Sequence, residues 1–247
     1  MDNRNPFYRV FYIIISKLTT RSICDKIVVL TEWSKRFRGG NMKREEKNLL
    51  KRQQIINSAI AEFGINSYDE TSINSICKNG NLSKGIIYHY FKDKDELYLV
   101  CVFECFNSLT TFLNSEKIDF NNVEEDIEKY LDLRQQFFNE NPDFNTIFIN
   151  ALLRPPKHLI REIKEIKAEL DKYNINFYKQ VLKSVNLKSD ISSEEAIEYF
   201  LIFQESFNYY FQNKNYVDFR ELFHDHELKL SKLFKIMFYG MAKEETQ

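Results

Sequence analysis

The stretch Tyr68–Leu97 reads YDETSINSICKNGNLSKGIIYHYFKDKDEL. It holds two short amphipathic segments separated by a glycine-containing turn. The first follows Thr71, a good N-cap residue, sets Ile73, Ile76 and Cys77 at i, i+3, i+4, and stops at Gly80. The second starts at Ser83, with Leu82 and Ile87 at the spacing of a hydrophobic staple. Two such segments predict a helix-turn-helix, whose second helix lies in the major groove of DNA. Around that helix Ile87, Tyr90 and Phe91 gather on one side, with Lys84, Gly85, Tyr88 and His89 on the other. The outward side is cationic, hydrogen-bonding and aromatic, and no acidic residue lies on it. Lys84 can donate to a guanine edge or a phosphate, Tyr88 can reach a phosphate oxygen, and Gly85 lets the backbone approach closely. Tyr90 belongs to both sides, its ring turned inward and only its hydroxyl able to escape.

Helix ends extend the pattern. Thr71 and Asp93 mark N-termini suited to phosphate, and Lys92 and Lys94 flank the second. Upstream, Ile56, Ala59, Ile60 and Phe63 form a helical stripe closed by Gly64, read as a residue tolerant of positive φ. Lys43, Arg44, Lys47, Lys51 and Arg52 crowd the start of that helix against its dipole, which suits an outside anion or an ordinary solvated face. Downstream, Asp93 and Glu96 have capping-box spacing and open a helix through Leu97, Cys101 and Cys105 to about Phe112. Further helices are expected over Asn122–Asn139, from Asn141-Pro142 to Pro155-Pro156, and over about Lys157–Leu187. The last two are expected at about 193–212, capped by Ser192 and Glu195, and at about 218–241. The fold expected is all-α, with about nine helices after Met42. A three-helix helix-turn-helix domain comes first and a helical domain follows.

Composition agrees. Six glycines and four prolines in 247 residues leave few breaks, so elements are long. With 43% hydrophobic and 29% charged residues the chain reads as a soluble globular protein. Cysteines at 24, 77, 101 and 105 have no framework spacing, which points to a reducing compartment and the cytoplasm. No apolar run approaches a membrane span, and Val10–Ile15 is too short for a signal-peptide core. The net charge of −1 hides a gradient. Residues 1–41 carry eight Lys/Arg against three Asp/Glu, 42–97 nine against eight, and 98–247 eighteen against twenty-five. Three divisions follow: an atypical basic extension (1–41), a DNA-binding domain (42–97) and an acidic body (98–247). The extension contains Trp33 and two β-branched runs but no helical period. Its Arg38-Gly39-Gly40 can be back-translated to a ribosome-binding site, so Met42 is the expected start; a genuine basic arm is the competing reading.

The residues Ile56-x-x-Ala59-x-x-x-Phe63, Thr71-Ser72-Ile73-x-x-Ile76, Leu82-Ser83-Lys84-Gly85-x-x-Tyr88-x-Tyr90-Phe91 and Lys92-x-Lys94-x-x-Leu97 carry a resemblance. Over Gln53–Leu97 the chain resembles the DNA-binding domain of the TetR family of bacterial transcriptional regulators. Two turns depart from the family pattern: Asn66-Ser67-Tyr68, and Gly80-Asn81-Leu82, where the glycine is displaced. The resemblance implies that Thr71, Lys84, Gly85, Tyr88, His89, Tyr90 and Lys94 meet the operator. It also implies a body that dimerises through its last two helices and binds a small effector, so that the protein acts as a repressor released by that effector. The partners expected are a pseudo-palindromic duplex operator, a small-molecule effector and a second copy of the chain.

In the body, Tyr199, Phe200, Phe203, Phe207, Tyr210 and Phe211 form one stripe and Leu230, Leu233, Phe234, Met237 and Met241 another. They serve either a dimer contact or the protomer's own core. Phe137, Phe138, Phe144, Phe148, Phe177 and Tyr178 can line a cavity for an aromatic or lipophilic cationic effector. Of these Phe144, Phe148 and Phe177 are the candidates, with Glu205 facing a cation. Cys101 and Cys105 read as small buried hydrophobes, and His224-Asp225-His226 splays its imidazoles apart, so no metal is expected. No Walker loop, GxSxG elbow or GxGxxG turn occurs, so neither a cofactor nor an enzymatic activity is expected. The alternative is a helical interaction module whose basic head meets a protein or an anionic membrane surface.

Overall fold

The computed structural model describes residues 44–214, 216 and 219–242. The extension 1–41, with Trp33, and the proposed start at Met42 lie outside them. Three helices form the head: α1 (Arg44–Phe63), α2 (Ile73–Gly80) and α3 (Lys84–Tyr90). The stripe Ile56, Ala59, Ile60 and Phe63 is buried as its spacing requires, in one core with Ile73, Ile76, Ile87 and Phe91.

Two turns come out differently from their sequence reading. Gly64 has no left-handed backbone. A Cβ there would stand 2.7 Å from Asp143 Cβ and 2.8 Å from Asp143 Cα, so glycine is required by close packing against the helix carrying Asp143. Gly80 likewise closes on Ser58 and on Leu82. The left-handed position of the α2–α3 turn is taken by Asn81 (φ 49°, ψ 50°), a residue that tolerates it better than most. The displaced glycine therefore leaves the turn intact.

The body begins with α4 (Lys94–Ser115), whose Leu97, Tyr98, Cys101, Val102, Cys105, Phe106 and Leu109 are all buried. Its first turn borders the head, and it packs on α1, on α5 (Val123–Glu140), on α6 (Pro142–Leu153) and most extensively on α7 (Ile160–Leu182). By length and composition alone α4 could cross a membrane, but half of its most apolar window is buried inside this core. A 3-10 turn, Lys157–Leu159, precedes α7, and α8 (Ser193–Gln212) and α9 (Phe219–Met241) complete the chain. Among the described residues the architecture is nine α-helices without a strand. A single antiparallel bridge joins Leu187 to Ala242.

The expected helix to Leu187 stops at Leu182. Ser184 Oγ donates to the Val181 carbonyl at 2.8 Å and its N–H to the same oxygen at 3.1 Å, so a turn replaces the next helical bond. The box at Ser192 forms with reciprocal Ser192–Glu195 bonds, whereas at Asn122 only the side-chain cap forms, Oδ1 accepting from the N–H groups of Glu124 and Glu125.

Candidate nucleic-acid interface and the body cavity

The recognition candidate, α3, is held from below. Ser83 caps its start, Oγ accepting from the Ile86 N–H at 3.3 Å. Ile87 is fully buried, and Phe91 lies under the Arg52 guanidinium, 5.0 Å from its ring centre. Tyr90 is half-buried, and its hydroxyl donates to Asn48 Oδ1 at 3.2 Å, pinning α3 to α1. What remains outside is Lys84, Gly85, Tyr88 and His89. Tyr88 is 54% exposed, and the space above Gly85 is open to 4 Å. A helix fastened on one side with a clear cationic and hydroxyl-bearing face on the other can enter a groove without unfolding anything.

Two members of the expected contact set sit elsewhere. Thr71 is buried and does not cap α2. Ser72 does, in a reciprocal box with Ser75 (Ser75 N–H to Ser72 Oγ, 3.1 Å; Ser72 N–H to Ser75 Oγ, 3.1 Å). The reason is that Thr71 closes the preceding turn, its N–H donating to the Ser67 carbonyl at 3.1 Å. Lys94 points inward as well. Its Nζ donates to the carbonyls of Tyr68 (2.9 Å) and Thr71 (3.1 Å) and stands 3.8 Å from the Tyr68 ring centre. At the start of α4 the protein's own acids take the amides: Asp93 Oδ1 accepts from Glu96 N–H at 2.9 Å, and Glu96 Oε2 from Lys92 N–H at 2.6 Å. The box expected between Asp93 and Glu96 thus closes one residue early, and the phosphate site read there is filled from within.

A link absent from any local motif joins head to body. The Tyr68 hydroxyl donates to Asp95 Oδ1, and Asp95 Oδ2 lies 3.1 Å from His158 Nε2 on the 3-10 turn before α7. The Tyr68 hydrogen bond holds the Asp95 carboxyl below the usual carboxylate range. Its partners stand 27 and 63 residues away in the chain, beyond the reach of periodicity.

The body holds a partly open cavity of about 50 Å³ among α5 to α9. Phe148 and Phe177 line it with Phe200, Phe203, Phe207 and Phe234. Phe144 is buried outside it, stacked on Phe137 at 6.2 Å, and its carbonyl accepts from Cys105 Sγ on α4 at 3.4 Å. Glu205 is exposed and lies off the lining, as the helical period puts it opposite buried Phe200 and Phe207. The polar wall comes mostly from residues without a sequence signature, Tyr130, Arg134, Lys167, Asp171, Asn174 and Gln204, together with His226. Arg134 is buried and makes a two-pronged pair with Glu227 (Nε–Oε2 3.2 Å, Nη2–Oε1 2.9 Å).

Of the two aromatic stripes, Phe200, Phe207, Phe211, Phe234 and Met241 are consumed by the protomer core. Tyr199, Ile202, Tyr209 and Tyr210 on α8, and Leu228, Ile236 and Tyr239 on α9, are exposed. Cys101 and Cys105 are buried free thiols, and burial pushes both well above the usual thiol range.

This fold and surface define a helix-turn-helix DNA-binding regulator with a helical C-terminal body. Residues 55–101 match the family described as bacterial regulatory proteins, tetR family, and residues 121–241 match the tetracyclin repressor-like C-terminal domain. The chain belongs to the TetR family of transcriptional regulators. It is similar to the biofilm operon icaADBC negative transcriptional regulator IcaR of Staphylococcus epidermidis, 26% identical over 63% of this chain and 80% of that protein. A probable acrEF/envCD operon repressor of Escherichia coli is 37% identical, over 23% of this chain and 26% of its own. The regulatory protein TetR from Rhodobacter sphaeroides shares the fold with a TM-score of 0.55, at 14% identity over 76% of this chain and 99% of that one. FadR of Bacillus subtilis, solved with stearoyl-CoA, superposes with a TM-score of 0.52 at 17% identity over 77% of this chain and 99% of its own.

Proposed function

We propose that the protein is a repressor that binds a pseudo-palindromic duplex operator as a homodimer in the cytoplasm and leaves it when the body takes up a small-molecule effector. It acts by binding and not by turnover. The observation that carries the reading is the open Lys84–Gly85–Tyr88–His89 face of α3, backed by buried Ile87 and Phe91. The names of the relatives support the sign of regulation, since both are negative regulators or repressors of operons. The apolar sides of α8 and α9 support a four-helix contact between two copies, which sets the two α3 helices against half-sites about 34–36 Å apart.

Lys84, Gly85, Tyr88 and His89 meet DNA in this reading, with Tyr90 contributing its hydroxyl from the edge. Thr71 and Lys94 act from behind, holding the turn before α2 against α4. Selection of bound genomic fragments by the full-length chain, followed by fluorescence anisotropy, tests the proposal. Lys84→Ala and Tyr88→Ala should each weaken operator binding about tenfold, the scale of one lost groove contact, and leave the melting temperature unchanged. The logarithm of affinity should fall linearly with the logarithm of salt concentration as counterions are released. Salt-independent binding, or loss of folding in both variants, would remove the assignment.

A further inference from the structure

The chemistry of the body cavity restricts what can occupy it, and this inference rests on the effector reading above. Its charges are already matched in pairs. Arg134 is spent on Glu227, with the Tyr130 and Phe148 rings 5.7 and 5.3 Å from its guanidinium carbon. Lys167 pairs with Asp171, which also accepts from Gln204 Nε2 at 3.5 Å. The Tyr130 hydroxyl donates to Asn174 Oδ1 at 2.9 Å. A charged guest would be desolvated against these closed pairs without a counter-ion, which is costly. The lipophilic cation considered from sequence loses its anchor too, since Glu205 faces solvent.

One buried polar atom on the lining is unmatched. His226 is 2% exposed, its ring centre 4.8 Å from that of Phe207 and 5.0 Å from that of Phe211. Nδ1 lies 3.0 Å from Glu227 Oε1, while Nε2 has no hydrogen-bond partner. An ionised carboxylate only accepts, so Nδ1 carries the proton that faces it. With Nδ1 so engaged, the singly protonated tautomer that this contact selects presents Nε2 as a bare acceptor. Leaving a buried acceptor unpaired costs free energy that a guest with a donor would recover.

We propose that the cavity binds an uncharged aromatic molecule bearing one hydrogen-bond donor, of phenol or indole type, with the donor on His226 Nε2 and the ring among Phe148, Phe177, Phe200, Phe203 and Phe207. At about 50 Å³ the space is below the 150 Å³ or so that admits benzene, so a guest of this class has to part the walls. The acceptor and most of the ring contacts lie on α8 and α9, which also bear the exposed apolar face, so these are the walls such a guest displaces.

Phenol and its near-isostere toluene, titrated into the full-length protein, test the donor directly. Calorimetry should give phenol an affinity about tenfold above toluene, and the His226 Nε2 nitrogen resonance should move with phenol alone. His226→Phe should abolish the preference, and His226→Gln, whose amide oxygen accepts, should keep part of it. Equal affinities in the native protein, an unmoved Nε2 resonance, or a preference that survives His226→Phe would overturn the inference, and the first two need no variant. Operator binding is read in parallel. Phenol bound through His226 without change in operator affinity upholds the pocket chemistry and removes its effector role. Operator release by another compound, with phenol excluded from the cavity, overturns the inference and leaves the repressor reading standing.

Discussion

Arg134 and Glu227 are 93 residues apart, and the pair they make is the most consequential polar contact in the body. A guanidinium 4% exposed is tolerable only because a carboxylate meets it with two hydrogen bonds. Burial alone would raise the Glu227 pKa. The Arg134 charge and the hydrogen bond from His226 overrule it and hold the carboxyl at about 2. A carboxyl depressed in the folded state stabilises fully above its unfolded value, near 4.3, and loses that contribution as pH falls toward the folded one. Glu227→Gln, which strands a buried cation, should cost about 3–5 kcal/mol in urea unfolding at pH 7. The gap between native and variant protein should stay flat above about pH 5 and narrow below pH 4. A gap that persists unchanged to pH 3.5 would mean that the carboxylate is not the stabilising partner.

At the scale of the element, α8 and α9 divide their aromatic residues between two duties. One face of α8 buries Phe200, Phe207 and Phe211, while Tyr199, Ile202 and Tyr209 repeat along another. On α9, Phe234 and Phe238 are buried, and Leu228, Ile236 and Tyr239 face out. Ile236, 65% exposed, is the sharpest probe of that outer face. If α8 and α9 form the proposed dimer contact, Ile236→Glu should leave the protein monomeric in sedimentation equilibrium while the protomer keeps its helix content and melting temperature. Operator affinity should fall at least a hundredfold, because half-sites are then bound one at a time. Retention of the dimer would place the contact elsewhere.

Across the whole molecule the head meets the body where α1 packs on α4 and α6, and at one polar link. α4 runs from one into the other, and beside its first turn Asp95 receives the Tyr68 hydroxyl from the head and His158 from the body. His158 stands just before α7, which supplies Leu170, Asn174 and Phe177 to the cavity. One route from the cavity to the turn before α2 therefore runs through α7, one carboxylate and one tyrosine. Asp95→Ala should speed amide hydrogen exchange at residues 67–80 and 157–160, with α8 and α9 unaffected, and lower stability by only about 1 kcal/mol since the link is partly exposed. Slowed or unchanged exchange in the head would show that the link holds nothing in place.

The fold was legible because its signals are local. Helical stripes, caps at Ser83, Asn122 and Ser192, and proline pairs each act within a turn or two of chain, so the helix set and the open side of α3 follow from spacing. The family resemblance was legible for the same reason, its glycines, aromatics and lysines falling within forty-odd consecutive residues. Lys94 shows the limit. Spacing puts it at a helix start beside a phosphate site, whereas packing turns its ammonium onto two carbonyls of the preceding loop. Gly64 needs no left-handed backbone, and only Asp143, 79 positions later, explains it. The cavity lies furthest from sequence, because five helices converge on it and a helical period says which residues are inside but not which neighbour they meet. Phe148 and Phe177 reach it while Phe144 does not, and Arg134, Glu227 and His226 find one another only once α5 lies against α9. Periodicity is a property of one helix, whereas a binding site is a property of several helices at fixed separations, and tertiary packing sets those separations.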